Sequence, residues 1–254
     1  MSIRDLMTCC VAIVALAGIA FADPPIAAEK LTTMQTAWKK TIDESSAAIE
    51  KSPEEINLFS RRGDAYFFAG QFDKAVDDYS TMVRLSPEVD GSHWRRGIAY
   101  FYAGKYDEAA AQFERYHSFD NVDRENGIWR YLSQVKAVGR EKARAGLLKY
   151  AKDDREPFPA VYELFAGRIT PDAILKGIAE AKISDKEREP RLFYAQLYIG
   201  LNEFIEGREK TAQEHLDKAV RNTWAPTAGY GPHYMWQVAR LHEELLRTKA
   251  AKSE

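Results

Sequence analysis

At 254 residues, with 45% hydrophobic and 29% charged content, the chain is long enough for one elongated domain or two compact ones and too apolar for wholesale disorder. Its formal net charge is −2 and it has no long basic tract, which argues against a nucleic-acid partner. Both cysteines, Cys9 and Cys10, lie in the first 22 residues, so the chain beyond them has no thiol for a nucleophile, a disulfide or a thiolate metal site.

Those first residues read as a leader. Arg4, partly offset by Asp5, precedes an uncharged apolar run from Cys9 to Phe21. Ala20-Phe21-Ala22 has the small-x-small form of a cleavage site, and Asp23-Pro24-Pro25 follows. The pattern predicts a secretory signal peptide over 1–22, cut between Ala22 and Asp23, and a secreted or periplasmic destination. The apolar run is shorter than the ~20 residues that cross a bilayer, so no integral membrane span is expected. If uncut, the leader is an anchor. Leu16-Ala17-Gly18 begins like a lipobox, but Ile19 stands where the cysteine would be.

Residues 23–55 read as an N-terminal linker and capping helix. Leu31 to Lys51 places Met34, Trp38, Ile42 and Ile49 at helical spacing, on a helix that would cover the open end of a stack. Next comes a repeat. Arg62-Gly63-Asp64-Ala65-Tyr66-Phe67-Phe68-Ala69-Gly70 returns, shifted by 34 residues, as Arg96-Gly97-Ile98-Ala99-Tyr100-Phe101-Tyr102-Ala103-Gly104. Phe72-Asp73-Lys74-Ala75 returns as Tyr106-Asp107-Glu108-Ala109, and Tyr79 as Phe113. Gly63, Tyr66, Ala75, Tyr79 and Pro87 occupy the marker positions of the tetratricopeptide repeat, a helix-turn-helix unit that this stretch resembles. The small residues would sit where paired helices cross, with Tyr66 and Tyr79 filling the space beside them. Gly70 would end the first helix, Asp73 would cap the second, and Ser86-Pro87-Glu88 would start the next.

Units are expected at 56–89, 90–123, 124–157, a degenerate 158–190 and 191–225, followed by a loop and C-terminal helix over 226–254. In the third, Gly139-Arg140-Glu141-Lys142 is the turn, and Leu147 and Tyr150 pack from its second helix. In the fourth, Gly167 closes a short helix and Thr170-Pro171-Asp172 opens another. In the fifth, Gly200, Gly207 and Ala212 reproduce the offsets of Gly63, Gly70 and Ala75, and Gly207-Arg208-Glu209-Lys210 repeats the tetrapeptide at Gly139. The packing set is therefore Gly63, Tyr66, Ala75, Gly97, Tyr100, Ala109, Gly200 and Ala212. Residues 233–250 form a last helix, either a cap or a dimer surface. The predicted fold is all-α: a tetratricopeptide-type α-α superhelix, or solenoid, of about five hairpins plus terminal capping helices.

No catalytic constellation emerges. There is no G-x-S-x-G elbow and no Walker glycine loop, and His242-Glu243-Glu244-Leu245-Leu246 lacks the second histidine of a zinc helix. The expectation is a non-enzymatic chain with no cofactor and no metal. Repeat register instead points Asp64, Phe67, Phe68, Trp94, Arg95, Ile98, Phe101, Tyr102 and Trp129 towards a concave groove. Aromatics beside arginine are the residue types of interface hot spots, and a protein or peptide would bind there. The alternative is that these rings pack between hairpins. Gly229-Tyr230-Gly231-Pro232-His233-Tyr234-Met235-Trp236 reads as a turn and helix start, or as a recognition loop. A module for a small ligand or cell-wall fragment, or a purely structural oligomer, stays open beside the scaffold.

The order of segments resembles one particular family. Two good repeats precede Trp129-Arg130-Tyr131-Leu132, then Tyr162-Glu163-Leu164-Phe165-Ala166-Gly167-Arg168-Ile169-Thr170, then Phe193-Tyr194 opening another hairpin. This is similar to the NlpI-type lipoproteins of the bacterial envelope over most of 30–225. The resemblance implies a homodimeric periplasmic adaptor that gathers peptidoglycan hydrolases and delivers some to a processing protease.

Overall fold

The computed structural model describes residues 23–152 and 154–252, so the expected leader lies outside it. Among the described residues there are twelve α-helices and no strand. Helix α1 spans Ala28–Lys51 and starts earlier than its apolar spacing suggested. The first two hairpins follow: α2 (Ile56–Phe68) with α3 (Phe72–Leu85), and α4 (Trp94–Tyr102) with α5 (Tyr106–Phe119).

Three of the hairpins close on a small residue. A Cβ on Gly63 would lie 2.7 Å from the Tyr79 ring, one on Gly97 would lie 2.6 Å from Phe113, and one on Gly200 would lie 2.7 Å from Leu216. All three partners stand sixteen positions downstream, so the three glycines share one environment. Ala75, Ala109 and Ala212 are fully buried at the same crossings. Tyr66 and Tyr100 are half-buried and lie under cations, with Arg62 and Lys74 over one ring and Arg96 over the other. A side-chain clamp accompanies each of the first two crossings. Arg62 donates to both Asp78 carboxylate oxygens, and Arg96 donates twice to the Gln112 carbonyl.

The turns are equally regular. Gly70, Gly104, Gly167 and Gly207 all have φ between 72° and 80°. At each, the glycine N–H and the following N–H bond back to carbonyls three and five residues earlier, the Schellman arrangement that needs a left-handed residue. Three local expectations are corrected. Asp73 does not cap α3; its side chain pairs with Lys105, and Gln71 holds the cap position. Ser86-Pro87-Glu88 opens only a 3-10 turn at Pro87–Val89, and α4 begins at Trp94 under a cap from His93 Nδ1. Gly139 has ψ 159° and lacks the double bond-back, so its tetrapeptide adopts a different turn from the one at Gly207.

The second helix of the third unit is cut short. Helix α6 (Arg124–Val138) is followed by only six residues of α7 (Arg140–Ala145). Leu147 and Tyr150 lie beyond it in irregular chain, yet Tyr150 still reaches back to Gly127, where a Cβ would meet its hydroxyl. Helices α8 (Phe158–Phe165) and α9 (Pro171–Glu180) form the short fourth pair, with the Thr170 side chain accepting from Ala173 N. Helix α10 (Asp185–Ile205) starts before the expected boundary at 191, capped by Ser184. Its Arg188 donates to several carbonyls at the end of α9 and so satisfies groups the helix leaves unpaired. Helix α11 (Glu209–Arg221), a 3-10 turn at Ala225–Thr227 and α12 (Tyr230–Ala251) complete the chain.

Helix α12 does more than close one end. It packs on α11, where Trp236 Nε1 donates to the Val220 carbonyl at 2.9 Å. It also lies against α1, α2, α4 and α10. Arg240 sits 4.6 Å over the Trp38 ring, and His242 meets the Phe204 ring at 4.4 Å. The coil is thereby closed through its interior, with the first and last hairpins held by one helix. No described helix is long and apolar enough to cross a membrane.

Candidate functional site

The inner wall of the coil is built from α2, α4, α6 and α10, and much of it is already covered. Phe67 is 0% exposed and stacks on Tyr234 of α12 at 5.1 Å and 17°. Phe68 meets the same ring edge-on at 5.2 Å, and Trp94 meets it at 4.9 Å and 84°. Tyr102 is half-buried and shares a 3.0 Å hydrogen bond with His242 Nδ1. Burial lowers the His242 pKa to about 3, so the imidazole is neutral. The open groove expected from the sequence is therefore occupied by a helix of the same chain. The physical reason is apolar area: a row of rings unpaired with solvent is covered by whichever amphipathic segment the chain can bring to it.

A polar latch fixes the start of that helix. Asp64 Oδ1 accepts from Arg95 Nη1 and from the Tyr79 hydroxyl, both at 2.7 Å, and Oδ2 accepts from the Tyr230 hydroxyl at 2.6 Å. Burial opposes the Arg95 charge, but Asp64 outweighs it and the guanidinium stays protonated. Burial also raises Tyr79 and Tyr234, leaving neutral phenols whose oxygens lie 3.3 Å apart. Tyr230, by contrast, remains 53% exposed at the rim.

Of the remaining sequence-derived residues, Phe101 packs between hairpins against Trp129, Tyr102 and Tyr106. Ile98 and Trp129 are each 1% exposed, and Trp129 Nε1 donates to the Tyr198 hydroxyl on α10 at 3.1 Å. These three residues do not form an open surface row with Trp94 and Arg95.

What stays open is a cavity of about 480 Å³. Trp94, Trp129 and Tyr116 of the repeats, Tyr194 and Trp224, and Pro232 and Met235 of α12 border it. At the start of α6, Asp123 caps the helix, accepting from Glu125 N at 3.0 Å, and Glu125 reaches inward. One Glu125 oxygen accepts from Tyr198, the other from Arg155 Nη2, each at 2.5 Å. Burial pushes the Glu125 carboxyl up to about 7, although Arg155 pulls it down. That proton affinity suits a general acid, but both oxygens are engaged by side chains of the fold, so the arrangement suits binding better than proton transfer. Repeat register did not single out Asp123, Glu125 or Arg155. They sit at a helix cap and on irregular chain, where the 34-residue period carries no signal.

A second cavity, of about 620 Å³, lies between α1, the α2–α3 turn and the end of α12. Among the described residues no group of three or more metal-ligating side chains converges.

The tetratricopeptide repeat family matches residues 92–118, which cover α4, its turn and nearly all of α5. Together with the stacked hairpins this makes the fold a tetratricopeptide-type solenoid, an architecture that serves as a protein-interaction scaffold. No curated protein matches the chain.

Proposed function

We propose that this chain is an exported, non-enzymatic scaffold of the cell envelope that takes a segment of a protein partner on the inner wall of its coil, beside α12. The observation that carries this reading is α12 itself. The wall already holds a helix through stacked rings and side-chain hydrogen bonds, and the ring-lined cavity at the helix start is continuous with that contact. The leader-like first 22 residues support export. The resemblance to NlpI-type proteins suggests peptidoglycan hydrolases or a processing protease as the kind of partner, and a homodimer as the assembly. A small ligand or cell-wall fragment is the second reading, favoured by a cavity volume within the range of small-molecule sites.

The test is site-specific photocrosslinking in the native envelope. Probes at Tyr230 and Trp224, beside the cavity, are compared with one at the exposed Lys176 of α9. Protein adducts from 224 and 230 but not from 176 are expected. Adducts from 176 alone would remove the inner wall from the account. No protein adduct anywhere, with a thermal shift on adding muropeptides, would favour the second reading. Mass spectrometry of the same protein should show a chain beginning at Asp23.

A further inference from the structure

The 480 Å³ cavity is lined by more carboxyl groups than cations. Asp123, Glu125 and Glu156 line it against Arg155, three carboxyl groups to one guanidinium. Its walls present the half-buried rings of Trp94 and Trp224, whose faces attract cations, beside the buried rings of Trp129 and Tyr194. The site already shows what it accepts. The Arg155 guanidinium lies 4.3 Å from the centre of the Phe158 ring and 5.8 Å from that of Tyr194, while Nη2 bonds Glu125. That side chain is 48% exposed where it borders the cavity. An anion would meet the carboxylates, and a neutral apolar group would strip their water without replacing it. The start of α12 also borders the space, but Pro232 removes one of the N–H groups that would draw an anion there.

We infer that this cavity is a receptor for a cationic side chain of a partner peptide, arginine in preference to lysine, held among the tryptophan and tyrosine rings and by the carboxylates of Asp123 and Glu125. The inference rests on the reading that a partner segment docks beside α12. Arginine is preferred because its planar fork matches carboxylate oxygens and stacks on rings, as Arg155 does. The groups facing Glu125 are Tyr116 of α5, Asp123 of α6, Asp154 and Arg155 before α8, and Tyr194 and Tyr198 of α10. An entering cation favours ionised Glu125, so binding should release a proton and strengthen several-fold between pH 6 and pH 8.

Calorimetric titration of the whole chain with Nα-acetyl-arginine amide tests this, with the citrulline amide as its neutral isostere. Saturable binding of the arginine probe is expected, with the citrulline probe about tenfold weaker or worse. Glu125→Gln, with its helical circular dichroism intact, should lose about as much. Equal binding of the two probes, no binding of the arginine probe, or full binding by folded Glu125→Gln would each overturn the inference. If positions 224 and 230 still crosslink to a protein when the arginine probe fails, the cation preference falls and the scaffold reading stands. If both fail, both fall.

Discussion

Gly97 and Gly177 make opposite demands on the same substitution. A Cβ on Gly97 would lie 2.6 Å from the rigid ring of Phe113, so Gly97→Ala must widen the hairpin and should cost about 1–3 kcal/mol. Gly177 is exposed within α9 and nothing lies within 4 Å of a Cβ there, so Gly177→Ala should gain about 1 kcal/mol. Urea denaturation of the two variants checks both signs. The glycines were legible in the sequence because sterics leave one residue type at a close crossing. The arginine before each was not. Arg62 and Arg96 repeat as faithfully as Gly63 and Gly97, but their acceptors, Asp78 and Gln112, differ in type and reveal themselves only once the crossing is built. Histidine gives a third expectation at this scale. Burial holds the folded-state pKa of His93 and of His242 at about 3, below the ~6.5 of an exposed imidazole. The unfolded chain therefore takes up protons first as pH falls from 6.5, and stability declines across that window. Each histidine should contribute a loss of about 2 kcal/mol by pH 5. His242→Gln should flatten the acid limb of a plot of stability against pH; an unchanged slope would contradict the assignment.

Elements answer to context more than single residues do. Gly139-Arg140-Glu141-Lys142 and Gly207-Arg208-Glu209-Lys210 share all four residues, yet only the second forms the left-handed double bond-back. In the second, Arg208 is paired with Glu203 on α10, and the helix that follows is thirteen residues long and amphipathic enough to pack along its whole length. After Gly139 the chain has only Ala143 to bury in the next helix, which stops at Ala145. Propensity was equal; packing decided. The last helix shows the same limit. Its apolar positions were legible, but its buried polar residues, Gln237, Arg240, His242 and Glu243, were not, since they acquire meaning only from partners across the coil. Tyr234→Ala should therefore cost about 3–5 kcal/mol, as loss of a large buried ring does. Tyr230→Phe should cost only about 1 kcal/mol, because Asp64 keeps Arg95 and Tyr79. Thermal unfolding of the pair separates packing from the latch.

At the scale of the whole molecule, closure changes how the repeats share stability. In an open solenoid each unit contacts only its neighbours and can unfold by steps. Here one helix binds α1, α2 and α4 to α10 and α11, and Arg221 also donates to the Asp23 carbonyl. Circular dichroism and tryptophan fluorescence should therefore report one coincident denaturation transition. A chain ending at residue 228 should unfold at lower denaturant in separated steps. Coincident transitions in both chains would show that α12 is not the tie. The closure was the least legible part of the fold. A 34-residue period describes contacts between successive units and carries nothing about a segment that reaches back across all of them.

The rings of Phe67, Phe68 and Trp94 are synthesised well before residues 230–251, which cover them. During translation, and again if the polypeptide is threaded through a translocon, more than a hundred residues must emerge while that sticky strip has no lid. A holding chaperone would find its natural purchase there, and ribosome-stalled fragments lacking the final helix should be the ones it retains.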